Sequence, residues 1–387
     1  MDETQYHSKV QRGFETGSEQ RNSHASYLTP LVDRIISFPH RSNTFHMNST
    51  WQTYLQARDA VIQDGCVTHY GDAAAELKCT RSGTVLADLS HFGLIHFSGE
   101  DAQAFLQGQL SCDVRKVDLS NAQYGSYCTP KGRMLASFLL WHDGGYIMQL
   151  PSALKAAIRK RLAMFVLRAK VELTDSSDTL VRMGVAGSRA AALLAEVMGA
   201  VPSMHLGVIH AEQGNIIRLA QDRFELVALP EQAPALWQRL SKEAAPVGAP
   251  CWNWLEIKAG IPVITPATQE QFVPQMANLQ AIGGVSFQKG CYPGQEIVAR
   301  TQYLGKIKRR MYLANIQSVK PVAAGDELFS ADMAEQSSGM VVNAAPSPDG
   351  GFDVLAVIQT SSVEAGKTHW QALDGPALEM MPLPYLL

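Results

Sequence analysis

Apolar positions along the chain change period several times, and each change marks an element. Gly93-Leu94-Ile95-His96-Phe97 predicts a strand, after which Ser98 is expected to cap a helix. Ala102, Phe105, Leu106 and Leu110 would share one face of that helix, with Asp101 in its first turn. Two apolar runs, Met134 to Trp141 and Tyr146 to Leu150, flank His142-Asp143-Gly144-Gly145, which signals a hairpin. A second helix then turns Leu154, Ile158, Leu162 and Phe165 inward. From residue 180 the order reads βαββα: a strand at Leu180 to Val185, a helix bearing Leu193, Leu194, Val197 and Met198, two strands and a helix. That order suggests a ferredoxin-like half.

After the Pro/Gly/Ala break at Pro246 to Pro250 comes another helix, stopped by Gly260 and Pro262. The last stretch carries short apolar runs separated by Gly, Pro, Asp and Ser, the spacing of a small antiparallel barrel. Residues 1–46 are polar and aperiodic and read as a disordered leader, with Met47 an alternative start. The expected class is α+β, as a three-domain ring. Its parts are a discontinuous α+β domain at 47–179 and 250–304, a second α+β unit at 180–249, and a C-terminal β-barrel at 305–387.

Composition narrows the function classes. The chain has 387 residues, too long for one typical core, with 46% apolar and 18% charged residues. A net charge of −3 argues against binding DNA through a chain-wide positive field. No apolar run approaches the roughly 20 residues of a membrane span, and the N-terminus lacks the features of a signal peptide. A cytoplasmic protein without a membrane role is expected. The six cysteines lack paired ligand spacing, so no metal site is expected.

One cysteine stands apart. In Ser286-Phe-Gln-Lys-Gly-Cys-Tyr-Pro-Gly-Gln-Glu296, two glycines and a proline bend the backbone tightly around Cys291. Lys289 lies two residues before it, and a helix starting near Gln295 would turn its positive end toward the thiol. Both would favour a thiolate suited to sulfur chemistry, metal contact or redox sensing. The plainer alternative is a buried spacer in a turn. Gln295 and Glu296 also have an ordinary role in a helix first turn. Lys289, Arg300, Lys306, Lys308, Arg309 and Arg310 face only Glu296 as counter-charge. They form either a solvated basic face or a patch for a polyanion such as a polyglutamyl tail or RNA.

The stretch at 272–301, FVPQMANLQAIGGVSFQKGCYPGQEIVART, closely resembles the signature of the YgfZ family, Lys-Gly-Cys-Tyr-x-Gly-Gln-Glu. Here the motif is Lys289, Gly290, Cys291, Tyr292, Pro293, Gly294, Gln295 and Glu296, with every fixed position matched. GEDAQAFLQGQLSCDV (99–114) and TPKGRMLASFLLW (129–141) are also similar to the family. The resemblance implies the fold of the glycine cleavage T-protein, a tetrahydrofolate cofactor, and support for iron–sulfur client enzymes, including those that thiolate tRNA. It assigns Cys291 as the functional thiol with Lys289 and Glu296 beside it, and implies folate contacts at Ser137, Lys258, Gln275 and Asn278. T-protein chemistry itself is not implied. Ala136 and Ser137 stand where that enzyme's reactive carboxylate would be, and Ile257-Lys258-Ala259-Gly260 replaces its folate-gripping glutamate motif. A lysine cannot accept hydrogen bonds from a pterin amino group, and Glu256 is expected to point elsewhere on the helix.

Three functions follow as expectations. The leading one is a folate-binding accessory protein acting through Cys291 on transient iron–sulfur clients, with tRNA reached indirectly. The second is a folate-dependent aminomethyl transferase, disfavoured by Ala136 and Ser137. The third is an RNA-binding module at 289–310, for which Tyr292, Tyr303 and Tyr312 are the only local stacking aromatics.

Overall fold

The apolar runs of the sequence become the strands of three large sheets in the computed structural model, which describes residues 47–303, 307–334 and 336–387. The expected leader at 1–46 and Lys306 lie outside the described residues.

The first sheet is antiparallel, in the order Gln123–Cys128, Met134–His142, Tyr146–Pro151, Phe92–Ser98 and Glu172–Asp175. The hairpin falls where the sequence puts it. Gly144 and Gly145 both adopt positive φ, and a side chain on Gly145 would strike the His96 ring. Helix Ser152–Ala163 buries Leu154, Ile158 and Leu162 against this sheet. Phe165 departs from expectation: it follows the helix end and is exposed. Ser98 does not cap the next helix either, because Gly99 and Glu100 intervene and Asp101 takes the cap position of Ala102–Gln107. The Asp101 carboxylate accepts instead from the Lys170 backbone N–H at 2.8 Å.

The second sheet runs Val208–Ala211, Gly214–Ala220, Arg223–Ala228, Val181–Ala186, Val85–Asp88 and Ala245–Val247. Only the last pairing is parallel. Val208–Ala211 is too short to register in the βαββα pattern, and Val85–Asp88 comes from well outside residues 180–249. Helices Ser49–Gln56, Ala190–Met198 and Ala233–Leu240 cover one face, burying Trp51, Leu55, Leu193, Leu194, Leu236 and Trp237 with Phe224 and Leu226 of the sheet. Trp51 ties its helix down by donating to the buried Asp88 carboxylate at 2.7 Å.

The third sheet, at the C-terminus, is a curled antiparallel half-barrel. Its order is Thr368–Trp370, Glu327–Ser330, Ser337–Pro346, Phe352–Gln359, Arg309–Ile316 and Leu378–Met381. No helix among the described residues is long and apolar enough to cross a membrane.

Helix Ala249–Lys258 joins all three sheets. Trp254 Nε1 donates to Asp353 of the half-barrel at 2.8 Å. Trp252 lies in the core shared by the first and second sheets, pressed against the backbone of Gly184. Glu256 reaches Arg223 of the second sheet. The glycine at 184 is required by this approach, since a Cβ there would run into the buried indole. We therefore expect Gly184→Ala to lose about 1–3 kcal/mol of stability, the usual range for overpacking. Urea unfolding reads this directly, and an unchanged midpoint would contradict the packing described.

Candidate functional site: an interdomain cavity and the cysteine loop

Strand Arg223–Ala228 is buried on both faces, and its two faces differ in kind. Phe224, Leu226 and Ala228 meet the covering helices. Arg223 and Glu225 alternate with them and turn toward the first sheet. There Glu225 meets a cavity lined also by Ser137, Phe138 and Gln149 of the first sheet, Glu256 of the connecting helix, and the loop at Ile261, Pro262 and Val263. The cavity is open to solvent along one side.

The walls are apolar except for a connected group of polar side chains. Glu225 is 1% exposed. One of its oxygens accepts from Gln149 Nε2 at 2.9 Å, and the other, Oε1, is buried without a hydrogen-bond partner. Burial pushes this carboxyl up to about 7, with Glu256 adding to the rise, while Gln149, Arg182 and Arg223 oppose it. Glu256 forms an ion pair with Arg223 at 3.3 Å. Gln149 Oε1 and the Tyr124 hydroxyl are also buried and unpartnered. Such atoms are ordinarily satisfied by ordered water or by a polar ligand.

The residues expected to contact folate separate here. Ser137 lines the cavity, and its hydroxyl accepts from the Ile264 N–H at 2.9 Å. Lys258 lies outside the cavity walls, its ammonium 3.5 Å from Asp353 of the half-barrel. Gln275 donates to the Val298 carbonyl at 2.5 Å and Asn278 to the Met311 carbonyl at 2.7 Å, both in fully buried positions. Glu256, expected to point away, is the helix residue that lines the cavity. Positions two apart on a helix differ by about 200°, so when Lys258 faces the half-barrel, Glu256 faces inward. Glu225 was not singled out from the sequence. Its signal was there: Arg223-x-Glu225 places two charges on one face of an otherwise apolar strand.

The cysteine loop is held from both sides of its thiol. Lys289 is buried and donates three hydrogen bonds, to the carbonyls of Gln107, Leu110 and Cys112 at 2.7, 2.5 and 2.9 Å. These carbonyls belong to the end of helix Ala102–Gln107 and the loop after it, where backbone acceptors lack helical partners. Burial lowers the Lys289 ammonium to about 8. Its ammonium is thus used as a clamp, and Lys289 leaves the exposed basic run in which the sequence placed it. Tyr292 is buried, its ring 5.1 Å from the Lys289 ammonium. Gly294, at φ +83°, presses against the backbone of Thr129 and Gly132, where no side chain fits. Helix Gln295–Tyr303 begins directly after it, with Glu296 exposed in its first turn. Cys291 and Gly290 are exposed between these anchors, whereas Cys66, Cys112, Cys128 and Cys251 are buried. The buried-spacer alternative therefore does not hold for Cys291.

Comparison with known proteins bears on this arrangement. The family model of the GCVT N-terminal domain matches residues 52–289. The tRNA-modifying protein YgfZ of Sodalis glossinidius is 34% identical over 308 residues, covering 78% of this chain and 93% of that protein. The chain belongs to the YgfZ family. The YgfZ protein of Colwellia psychrerythraea is 36% identical over 245 residues, 63% of this chain and 75% of its own. Among solved structures, the glycine cleavage system aminomethyltransferase T from Bartonella henselae superposes with a TM-score of 0.69 at 18% identity. The match covers 87% of this chain and 97% of that one and shows a common fold. The fold class expected from the sequence is therefore the observed one, with the YgfZ motif forming the clamped loop.

Replacing Lys289 with Met would keep the length of the stem while leaving two buried carbonyls and a partly buried one without this donor. We expect a loss of about 2–6 kcal/mol, since each of the two unsatisfied buried groups costs about 1–3 kcal/mol. Thermal unfolding of Lys289→Met beside Cys291→Ser separates the roles: the second, at an exposed site, should unfold like wild type.

Proposed function

We propose that this YgfZ-family protein binds a reduced folate in the cavity between its first two sheets, and supports iron–sulfur enzymes that modify tRNA through the thiol of Cys291. The observation that carries the folate reading is the pair of buried carboxylates, Glu225 and Glu256, facing an otherwise apolar cavity. A pterin ring is flat and apolar on its faces, and one edge carries adjacent N–H donors. Carboxylates accept such donors at both oxygens. Phe92, Phe138 and Ile282 supply the apolar surface against which the ring faces would lie.

An aminomethyl transfer is not part of this reading. It needs a carboxylate at the reacting folate nitrogen, and the matching stretch of strand Met134–His142 supplies Ala136 and Ser137. The accessory role draws support from the relatives named for tRNA modification and from the display of Cys291. A loop anchored by Lys289, Tyr292 and Gly294 presents the thiol without committing it to a partner within the fold. Folate and thiol are separate parts, because Cys291 is not a cavity wall.

Calorimetric titration with 5-formyltetrahydrofolate tests the first part. Glu256→Gln should weaken binding at least tenfold, as loss of a charged acceptor costs about 1.5–3 kcal/mol, whereas Cys291→Ser should bind like wild type. In cells lacking the gene, Cys291→Ser should in turn fail to restore tRNA methylthiolation under oxidative stress. Full restoration by that variant would remove the thiol from the account.

A further inference from the structure

Resting on the folate reading, we propose that Glu225 couples ligand capture to proton release: it holds a proton in the free protein and engages the ligand as a carboxylate, so the proton leaves to solvent on binding. The geometry carries the case. Glu225 is fixed by the Gln149 amide through one oxygen, while its other oxygen is buried, unpartnered and part of the cavity wall. Glu225 lies opposite Gly184 in the strand pairing, and the Trp252 indole covers Gly184. A lone carboxylate charge here is poorly solvated, and a proton relieves it.

The charges around Glu225 do not remove that need. On its own strand, Arg223 is engaged by Glu256 of the connecting helix, and the exposed imidazole of His205 feels the charge of Arg223. From the neighbouring strand, Arg182 donates through its two terminal nitrogens to the carbonyls of Phe92, Leu180 and Ser177 at 2.6, 2.9 and 3.1 Å, while its Nε stays buried without a partner. His91, near Arg182, has both ring nitrogens buried and is held neutral, burial lowering its imidazole to about 3. From the first sheet come the neutral Gln149 and the Tyr124 hydroxyl, which burial keeps protonated. Glu256 is a like charge and works against ionisation of Glu225.

The arrival of a ring edge with two adjacent N–H donors changes the balance. A protonated carboxyl offers one acceptor and one donor, and so clashes with one of the two N–H groups. The carboxylate accepts both. Only the ionised form of Glu225 is competent, and the apparent affinity scales with the fraction of protein in that form. With the free carboxyl at about 7, that fraction rises about tenfold between pH 6 and pH 8.

The test is calorimetry of the full chain with 5-formyltetrahydrofolate in buffers of different ionisation enthalpy, at pH 6, 7 and 8. The carboxylates of the ligand are ionised throughout that range. We expect release of about half a proton per site at pH 7, and binding about tenfold tighter at pH 8 than at pH 6. Glu225→Gln, which keeps size and polarity, should bind more weakly and with neither proton release nor pH dependence. Binding that is independent of buffer and pH would overturn the coupling while leaving the folate reading intact. Proton uptake would overturn its direction, showing Glu225 acting as a donor. No binding at any pH would remove both the folate reading and this inference.

Discussion

The contact between Arg223 and Glu256 is the joint on which the site depends. It fastens helix Ala249–Lys258 to the second sheet, and the same helix reaches the half-barrel through Trp254 and packs into the shared core through Trp252. Both side chains of the pair are nearly buried, so neither can lose its partner cheaply; breaking such a pair typically costs about 3–5 kcal/mol. The pair is less a source of stability than a constraint. It fixes the helix rotation that brings Glu256 to the cavity, and it engages Arg223, one of the two cations that favour ionisation of Glu225. What remains is a carboxyl with one oxygen free of hydrogen bonds in the cavity wall. That is costly to bury and useful for a ligand with paired donors.

The cysteine loop uses the opposite arrangement. Its lysine goes inward and its thiol outward. Lys289 spends its ammonium on three carbonyls, Tyr292 fills the space beside it, and Gly294 allows two backbones to touch. Each anchor is a motif residue, and between Lys289 and Tyr292 the motif residues Gly290 and Cys291 are left exposed. The eight-residue motif is thus partly scaffold, and the scaffold explains why an exposed thiol can be held in one place on a loop.

Much of this fold was legible because it follows strict periodicities. The Met134–His142 and Tyr146–Pro151 hairpin, the helix stop at Gly260 and the short strands of the half-barrel all come from patterns of two or from Gly and Pro punctuation. Local details that depend on two intervening residues were less legible, as with Ser98 and Phe165. The site divides in the same way. The motif revealed Cys291, since an unusual string of turn residues is visible in one dimension. The destination of the Lys289 side chain was not, because its partners are about 180 residues away. Glu225 and Glu256 come together only when two strands and a helix pack, and Lys258, nearer the expected motif, faces the other way.

The most direct test of the account is a crystal structure of the protein with 5-formyltetrahydrofolate bound. The account predicts the pterin edge within about 3 Å of the Glu225 and Glu256 carboxylate oxygens, with the ring between Phe138 and Ile282. A folate found outside this cavity, or one whose pterin edge faces neither carboxylate, would contradict it.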